Sequence, residues 1–397
     1  MRSISIIGAG QAGLQLGIGL LKLGYKVSIY TRQTAQEVLN GFILSSPSMF
    51  HSALQNERNL GLNFWDKICP ENKTVTYTLS KPTKPEIAIN WRGKTSQCYQ
   101  AIDQRLKFSR WMEEFTRLGG QLIVQTVGTR DLNHIIQHQD LTIVSGGKGE
   151  ISQLFPIDKT RSSFNKVQRV LCCLYVKNVE RITNSQGVRA NVIPTIGEYF
   201  ITPGLTLTGP CEMMLFEGFP GGPFDCWKDI LKPDQRLAKA CELLNKFVPW
   251  EAELCHKVKL TDEKATLQGS YIPIVRKPTF CLSPGKPLLG LGDSILLNDP
   301  IGGQGANNAN HSATFYLNKI KEHKNQLFNE KWMQETFEDY WKQSAQWATK
   351  WTNLMLHPTK SFASLLKAAS LQPNVANWLA DGFNTPEKIL AEIEYKK

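Results

Sequence analysis

The chain has 397 residues, enough at roughly 150 per domain for two or three domains with a sizeable core. With 41% hydrophobic and 20% charged residues it is neither a disordered chain nor a collagen or coiled coil. Basic residues outnumber acidic ones 46 to 35, a net charge of +11 that favours anionic ligands such as a phosphate-bearing cofactor; no basic block of five residues occurs, so no nucleic acid partner is expected. Nine cysteines without CxxC or metal spacing read as reduced thiols of a cytoplasmic protein with no metal site. No segment approaches 18 uncharged apolar residues, so no membrane span is predicted.

In chain order, residues 3–7 predict a strand, Gly8-Ala9-Gly10-Gln11-Ala12-Gly13 a glycine turn, and Leu14 to Leu21 a helix ending at Gly24, with a second strand over Lys26–Tyr30. That order is a Rossmann-type dinucleotide unit. Gly8 permits the tight turn, Gly10 the approach of a pyrophosphate and Gly13 the packing of helix on strand, while amides at Gln11 and Ala12 open the helix toward phosphate. The second strand ends Tyr30-Thr31-Arg32, with no acid for a ribose, leaving Thr31 and Arg32 as candidates there.

Residues of about 40–100 are irregular, with alternation at 74–79, and read as an insertion carrying a hairpin. A helix is predicted at 103–118, opened by Arg105, and short parallel strands at Gln121–Val124 and Leu141–Val144. Lys148 follows in a glycine loop. Strand signals dominate 166–280, at 170–176, 205–208 and 213–216, with one helix near 234–247. A strand at 287–291 leads into Gly292-Asp293, and a helix should run from Gly305 to about Lys321; the remainder, 326–397, reads as helical.

The segment Gly292-Asp293, Pro300 and Gly303-Gln304-Gly305-Ala306-Asn307 resembles the flavin-ring motif of FAD-dependent monooxygenases. A carboxylate at a strand end can bind ribityl hydroxyls, Pro300 can pack by the ring, and amides opening a helix can face the pyrimidine edge and favour a reduced, anionic ring. More specifically the chain resembles the oxygenase component of two-component styrene and indole monooxygenases. The residues carrying this are Gly290-Leu-Gly-Asp293, Asp299-Pro300, Gly303 to Asn307, Thr349 to Leu354, Phe383-Asn-Thr-Pro-Glu387, and Tyr30-Thr31 in place of the usual acid. Supporting matches are Asp103 with Arg105, Gly147-Lys148, and Pro273 with Arg276.

The resemblance implies an α/β fold of the flavin monooxygenase type. A Rossmann-like FAD-binding domain (1–165 and 281–325) would interleave with a β-sheet substrate domain (166–280) and a C-terminal helical region (326–397). It implies FAD, used as FADH2 from a separate NADH-dependent flavin reductase, and dioxygen. A flavin hydroperoxide would then epoxidise an activated carbon–carbon double bond of a hydrophobic aromatic, styrene or indole-like. Pro300, Gly303, Gly305 and Asn307 would surround the reacting ring, and Arg105 would reach the flavin or pyrophosphate.

The sequence departs from the family over Gly41–Ser48, the expected substrate side. Where such enzymes show an Arg and an Asn-Thr pair, it has Ile43 and Ser45-Ser46-Pro47. Phe42, Leu44, Ser45 and Ser46 are the expected substrate contacts, with Phe50 and the stretch Phe216 to Trp227 as further walls. His51 and His311 read as structural. Two other readings stay open: a single-component NAD(P)H-dependent aromatic hydroxylase, and a non-catalytic flavin-binding sensor or partner module. A homodimer is the oligomeric form considered.

Overall fold

The computed structural model describes residues 2–147, 149–180, 186–283 and 285–395; Lys148 lies outside them. Two sheets organise the chain. The first has the strand order Thr279–Ser283, Lys286–Gly290, Leu141–Val144, Ser3–Ile7, Lys26–Thr31, Gln121–Val124. The last five are parallel and the first is an antiparallel edge. Ile4, Ile6, Ile29 and Ile143 are fully buried here, as expected of parallel strands covered on both faces. The glycine-led helix Gln11–Lys22 packs against the late helix Gly305–His323, which places the two glycine motifs side by side.

The second sheet is mixed, in the order Lys259–Leu260, Val170–Lys177, Gly209–Gly218, Gly197–Thr206, Gly187–Ile193, Asn72–Ser80, Ile87–Tyr99, with Thr266–Ser270 also pairing Val170–Lys177. Period-two alternation divides its residues. Cys172, Leu174, Tyr199, Ile201, Met214 and Phe216 form a core with Ala240, Leu243 and Leu244 of the helix Pro233–Phe247. Their neighbours Cys173, Tyr175, Met213 and Leu215 face the opposite way, toward Ile43 and Ala101. The C-terminal helices close the far edge. Backbone amides of Lys94 and Ser96 donate to Asn377 Oδ1 and Asp381 Oδ1, both at 2.7 Å, so the outer edge of Ile87–Tyr99 is partly satisfied by the tail.

Three expectations are corrected. The hairpin at 72–99 is not an excursion of the nucleotide domain, because Thr74–Leu79 pairs in parallel with Gly187–Val192 and makes it an edge of the second sheet. A boundary at 281 would cut the strand Thr279–Ser283, which belongs to the first sheet. The strand expected at 205–208 ends at Thr206, and the chain turns at Leu207–Thr208 into Gly209, whose φ of +104° reverses it.

Candidate active site

A large cavity, about 2770 Å³ counting its open mouth, lies along the tips of the first sheet's parallel strands. Its lining brings together residues from the two ends of the sequence: Gly8, Gly10, Gln11, Ala12, Thr31 and Arg32 from one, Asp293, Pro300, Gly303, Gly305 and Ala306 from the other. Two helices, Gln11–Lys22 and Gly305–His323, open toward it. Neither has an acidic residue in its first turn or a side-chain cap, so their leading amides and positive dipole ends remain free for an anion.

The glycine turn forms a cradle. Gly8, at φ +119°, lies so close to the Ser145–Gly146 backbone that a Cβ would meet it at 2.7 Å, and a Cβ on Gly13 would sit 2.1 Å from the Gly8 carbonyl oxygen. Gly10 is different: a Cβ there meets nothing within 4 Å. Gly8 and Gly13 serve the protein's own packing, whereas Gly10 leaves open space at the helix start. Gln11 turns its side chain inward, donating to Glu57 Oε1 at 3.1 Å and Gln15 Oε1 at 3.0 Å, so only its backbone is offered to the cavity. The Thr31 hydroxyl is engaged in its own turn with Gln33.

Several predicted residues support the cavity without lining it. Gly292 packs beneath Ala12, where a Cβ would come within 3.1 Å, and so joins the two motifs. The Gln304 amide donates to Phe383 O at 2.9 Å. Asn307 accepts from Phe50 N at 2.8 Å and donates to Ser48 O at 2.7 Å and Gly303 O at 2.8 Å, so its side chain is used wholly in tying the segment 48–50 to the turn at Gly303.

Two assignments are corrected. Arg105 is buried and clamped between acids, with NH2 at 2.7 Å from Asp103 and 2.8 Å from Asp262. All of its donors are spent locally, joining a helix start to a loop of the second sheet, and it lines neither cavity. Phe42 is 55% exposed and likewise outside both.

A second cavity, about 830 Å³ counting its open mouth, adjoins the first, and Ser46, Ser48, Leu215, Pro300 and Gly303 line both. Its walls are mainly apolar: Val75, Val188, Phe200, Met213, Ile301, and the aromatic group Phe50, Tyr99 and Phe383. Phe50 lies 5.8 Å from Tyr99 and 5.9 Å from Phe383 between ring centroids. Leu44, Ser45 and Ser46 line the larger cavity, and the Tyr175 hydroxyl fixes that segment by donating to Ser45 O at 2.6 Å. Ile43 is sealed into the core beneath with Cys173 and Met213, a place where an unpaired arginine would be costly.

Sequence reasoning missed most of this second wall. Val188, Phe200, Met213 and Leu215 were visible as strand residues, and their alternation was the available signal; which sheet face meets a cavity was not. The expected wall from Phe216 to Trp227 is a correction: Phe216 packs against Phe224 and Trp227 at 5.4 and 5.3 Å in the core on the sheet's other side. His51, read as structural, lines the second cavity. His311 is held by Ser52 and Asn56, each at 3.3 Å, and burial pushes its imidazole down to about 4.

The family model "Styrene monooxygenase A putative substrate binding domain" matches residues 147–253, a span that includes four strands of the second sheet, from Val170–Lys177 to Gly209–Gly218, and the helix Pro233–Phe247. Styrene monooxygenase StyA of Pseudomonas fluorescens is 27% identical over 98% of this chain and 94% of its own length, and a StyA from a Pseudomonas species is 26% identical over the same shares. The chain is an FAD-dependent monooxygenase related to the styrene monooxygenases. Among solved structures, a flavoprotein/dehydrogenase from Cytophaga hutchinsonii shares the fold with a TM-score of 0.68 at 16% identity, covering 96% of this chain and 92% of its own. The flavin-dependent brominase Bmp2 does so at 0.65 and 13%, covering 99% of each. The cofactor of this styrene-monooxygenase-like enzyme is FAD, and the cradle at Gly8–Gly13 with two uncapped helix starts fits its pyrophosphate and ring. Among the described residues no helix is long and apolar enough to cross a membrane.

Proposed function

We propose that the enzyme is the oxygenase of a two-component system, taking FADH2 from a separate NADH-dependent reductase and inserting oxygen into the double bond of a styrene- or indole-like aromatic in the cytoplasm. One oxygen atom of dioxygen enters the double bond and the other leaves as water. The observation that carries this reading is the shared wall: an apolar cavity, about 830 Å³ counting its open mouth, meets the cofactor-sized one at Pro300 and Gly303. Bound in its reduced form, FAD supplies two electrons and activates dioxygen.

In this reading Gly8, Gly10, Gln11 and Ala12 hold the pyrophosphate through backbone amides, Arg32 lies by the adenosine half, and Asp293 accepts from ribityl hydroxyls. The amides at Gly305 and Ala306 face the pyrimidine edge of the ring. Pro300 and Gly303 form the surface against which ring and substrate meet. Phe50, Tyr99, Phe200, Met213 and Leu215 exclude water and orient the alkene, which as a nucleophile needs no side-chain base. The test supplies chemically reduced FAD, dioxygen and a panel of styrenes and indole, with epoxides read by mass spectrometry and indigo by colour. Absence of any oxygenated product across the panel overturns the substrate class.

A further inference from the structure

Beneath Pro300 lies a buried cluster that the proposed chemistry does not use. Arg169, Glu198, Glu217 and Asp299 are 3%, 4%, 0% and 2% exposed. Arg169 is committed to Glu198, with contacts of 2.7 and 2.9 Å, and its remaining nitrogen donates to Gln168 O. Glu217 stands directly across from Glu198 in the strand pair, so the two side chains share a face. Among the described residues no donor satisfies either Glu217 oxygen, and the neighbour that meets it is the carboxyl of Asp299. Asp299 in turn caps the Pro300–Gly302 turn, its Oδ1 accepting from Ile301 N at 3.2 Å.

One guanidinium therefore faces three buried carboxyl groups. Two adjacent carboxylates in such surroundings cannot both stay ionised, and the proton goes to the one whose charged form has less support. Asp299 has a backbone amide to favour its anion; Glu217 has no donor. We propose that Glu217 is a positioning residue: it holds a proton at neutral pH and with it donates a hydrogen bond to Asp299, forming a one-proton clamp that fixes the turn Pro300–Gly303. This rests on the reading that FAD lies against that turn.

Titration directions agree with the geometry. Burial first, then the charges of Asp299 and Glu198, push Glu217 well above the usual carboxylate range, and burial pushes Asp299 up to about 6. The other ionisable groups facing the pair are Arg169, Glu198 and Tyr271, whose hydroxyl donates to Asn298 O at 3.1 Å and is itself pushed up by burial and by the neighbouring carboxylates. A clamp with both carboxyls ionised would repel itself and place extra negative charge beside a reduced, anionic ring.

The test compares the wild type with Glu217→Gln and Glu217→Leu. Infrared spectra of the apoprotein at neutral pH should show the carbonyl stretch of a protonated carboxyl that Glu217→Gln lacks. Glutamine can still donate to Asp299, so that variant should keep FAD affinity within about threefold, while the leucine variant, which leaves Asp299 without its donor, should lose about tenfold or more. If the band is absent in the wild type or persists in Glu217→Gln, the proton is not where we assign it; if both variants bind FAD alike, the positioning role fails. Should Glu217→Leu not fold, the pH dependence of FAD affinity decides: falling with rising pH in the wild type and flat in Glu217→Gln, or parallel in both and the proposal is overturned. None of these readouts requires oxygenation, so an inactive substrate panel beside a confirmed clamp would remove only the epoxidation reading.

Discussion

Asn307 accepts a hydrogen bond from the backbone amide of Phe50 at 2.8 Å while its own amide reaches Gly303 O at 2.8 Å, so one side chain fixes an aromatic of the second cavity relative to the wall it shares with the first. Asn307→Ala leaves the buried Phe50 amide and the part-buried Ser48 carbonyl without their partner. The buried amide costs about 1–3 kcal/mol when orphaned and the part-buried carbonyl less, so chemical denaturation should show a total loss of about 1–4 kcal/mol. The loosened wall should also raise hydrogen peroxide formed per dioxygen consumed, since water reaches the cofactor more readily. A variant with unchanged stability and unchanged peroxide yield would show that the bridge positions nothing.

The glycine cradle separates packing from binding. Gly10→Val should fold with a melting temperature close to the wild type, because its side chain enters open space, yet lose FAD binding. Gly13→Ala should be destabilised by several kcal/mol through collision with Gly8 O, whether or not FAD is present. Retained FAD affinity in well-folded Gly10→Val, read by fluorescence titration, would place the pyrophosphate elsewhere.

Arg105 should matter for stability and not directly for the cofactor. Arg105→Met leaves Asp103 and the partly exposed Asp262 without their cation, and breaking such a buried pair costs about 3–5 kcal/mol. The affinity for FAD of the molecules that remain folded should stay within about threefold, because no donor of Arg105 reaches the cavity. A selective loss of FAD affinity at wild-type stability would restore the role first expected of it.

His311 predicts a pH effect of definite sign. Burial lowers its folded value to about 4, below the unfolded 6.5, so the unfolded chain binds the extra proton in between. Stability from this group is therefore complete above pH 6.5 and is lost as pH falls toward 4, by at most about 2 kcal/mol because the ring is not wholly sealed from solvent. Denaturation midpoints of His311→Gln should fall less steeply over that window than those of the wild type.

The proposed electron source has its own check. Alone with NADH or NADPH the protein should scarcely reduce its FAD, and any FAD reductase should restore turnover. Rapid reduction by NADPH in anaerobic stopped-flow absorbance would move the reading to a single-component hydroxylase.

The first sheet and its two glycine motifs were legible because each step is local: strand, turn and helix follow one another at Ser3–Lys22, and again from Lys286 to Gly305. Their meeting in space was legible only through the resemblance. The hairpin at 72–99 could not be placed from the sequence, since its parallel partner Gly187–Val192 lies about a hundred residues away and both read equally well as edges. Arg105 misled for a related reason. An arginine opening a helix looks the same whether it faces a phosphate or the distant Asp262. The aromatic stretch at 216–227 misled by parity, as a strand of alternating large residues does not declare which face looks onto a helix and which onto a cavity.

The parallel sheet has a consequence for synthesis. Leu289 pairs with Ile143, so the strand next to the first glycine motif waits for a partner made nearly 150 residues later. On the ribosome, at about 5–20 residues per second, Ser3–Ile7, Lys26–Thr31 and Leu141–Val144 emerge seconds before Lys286–Gly290 can close over them, and the helix Gly305–His323 comes later still. Until then the apolar faces of these early strands stay open. Slowed translation between residues 150 and 280 or a shortage of chaperones should therefore reduce the soluble yield of this chain more than that of one whose nucleotide sheet is contiguous.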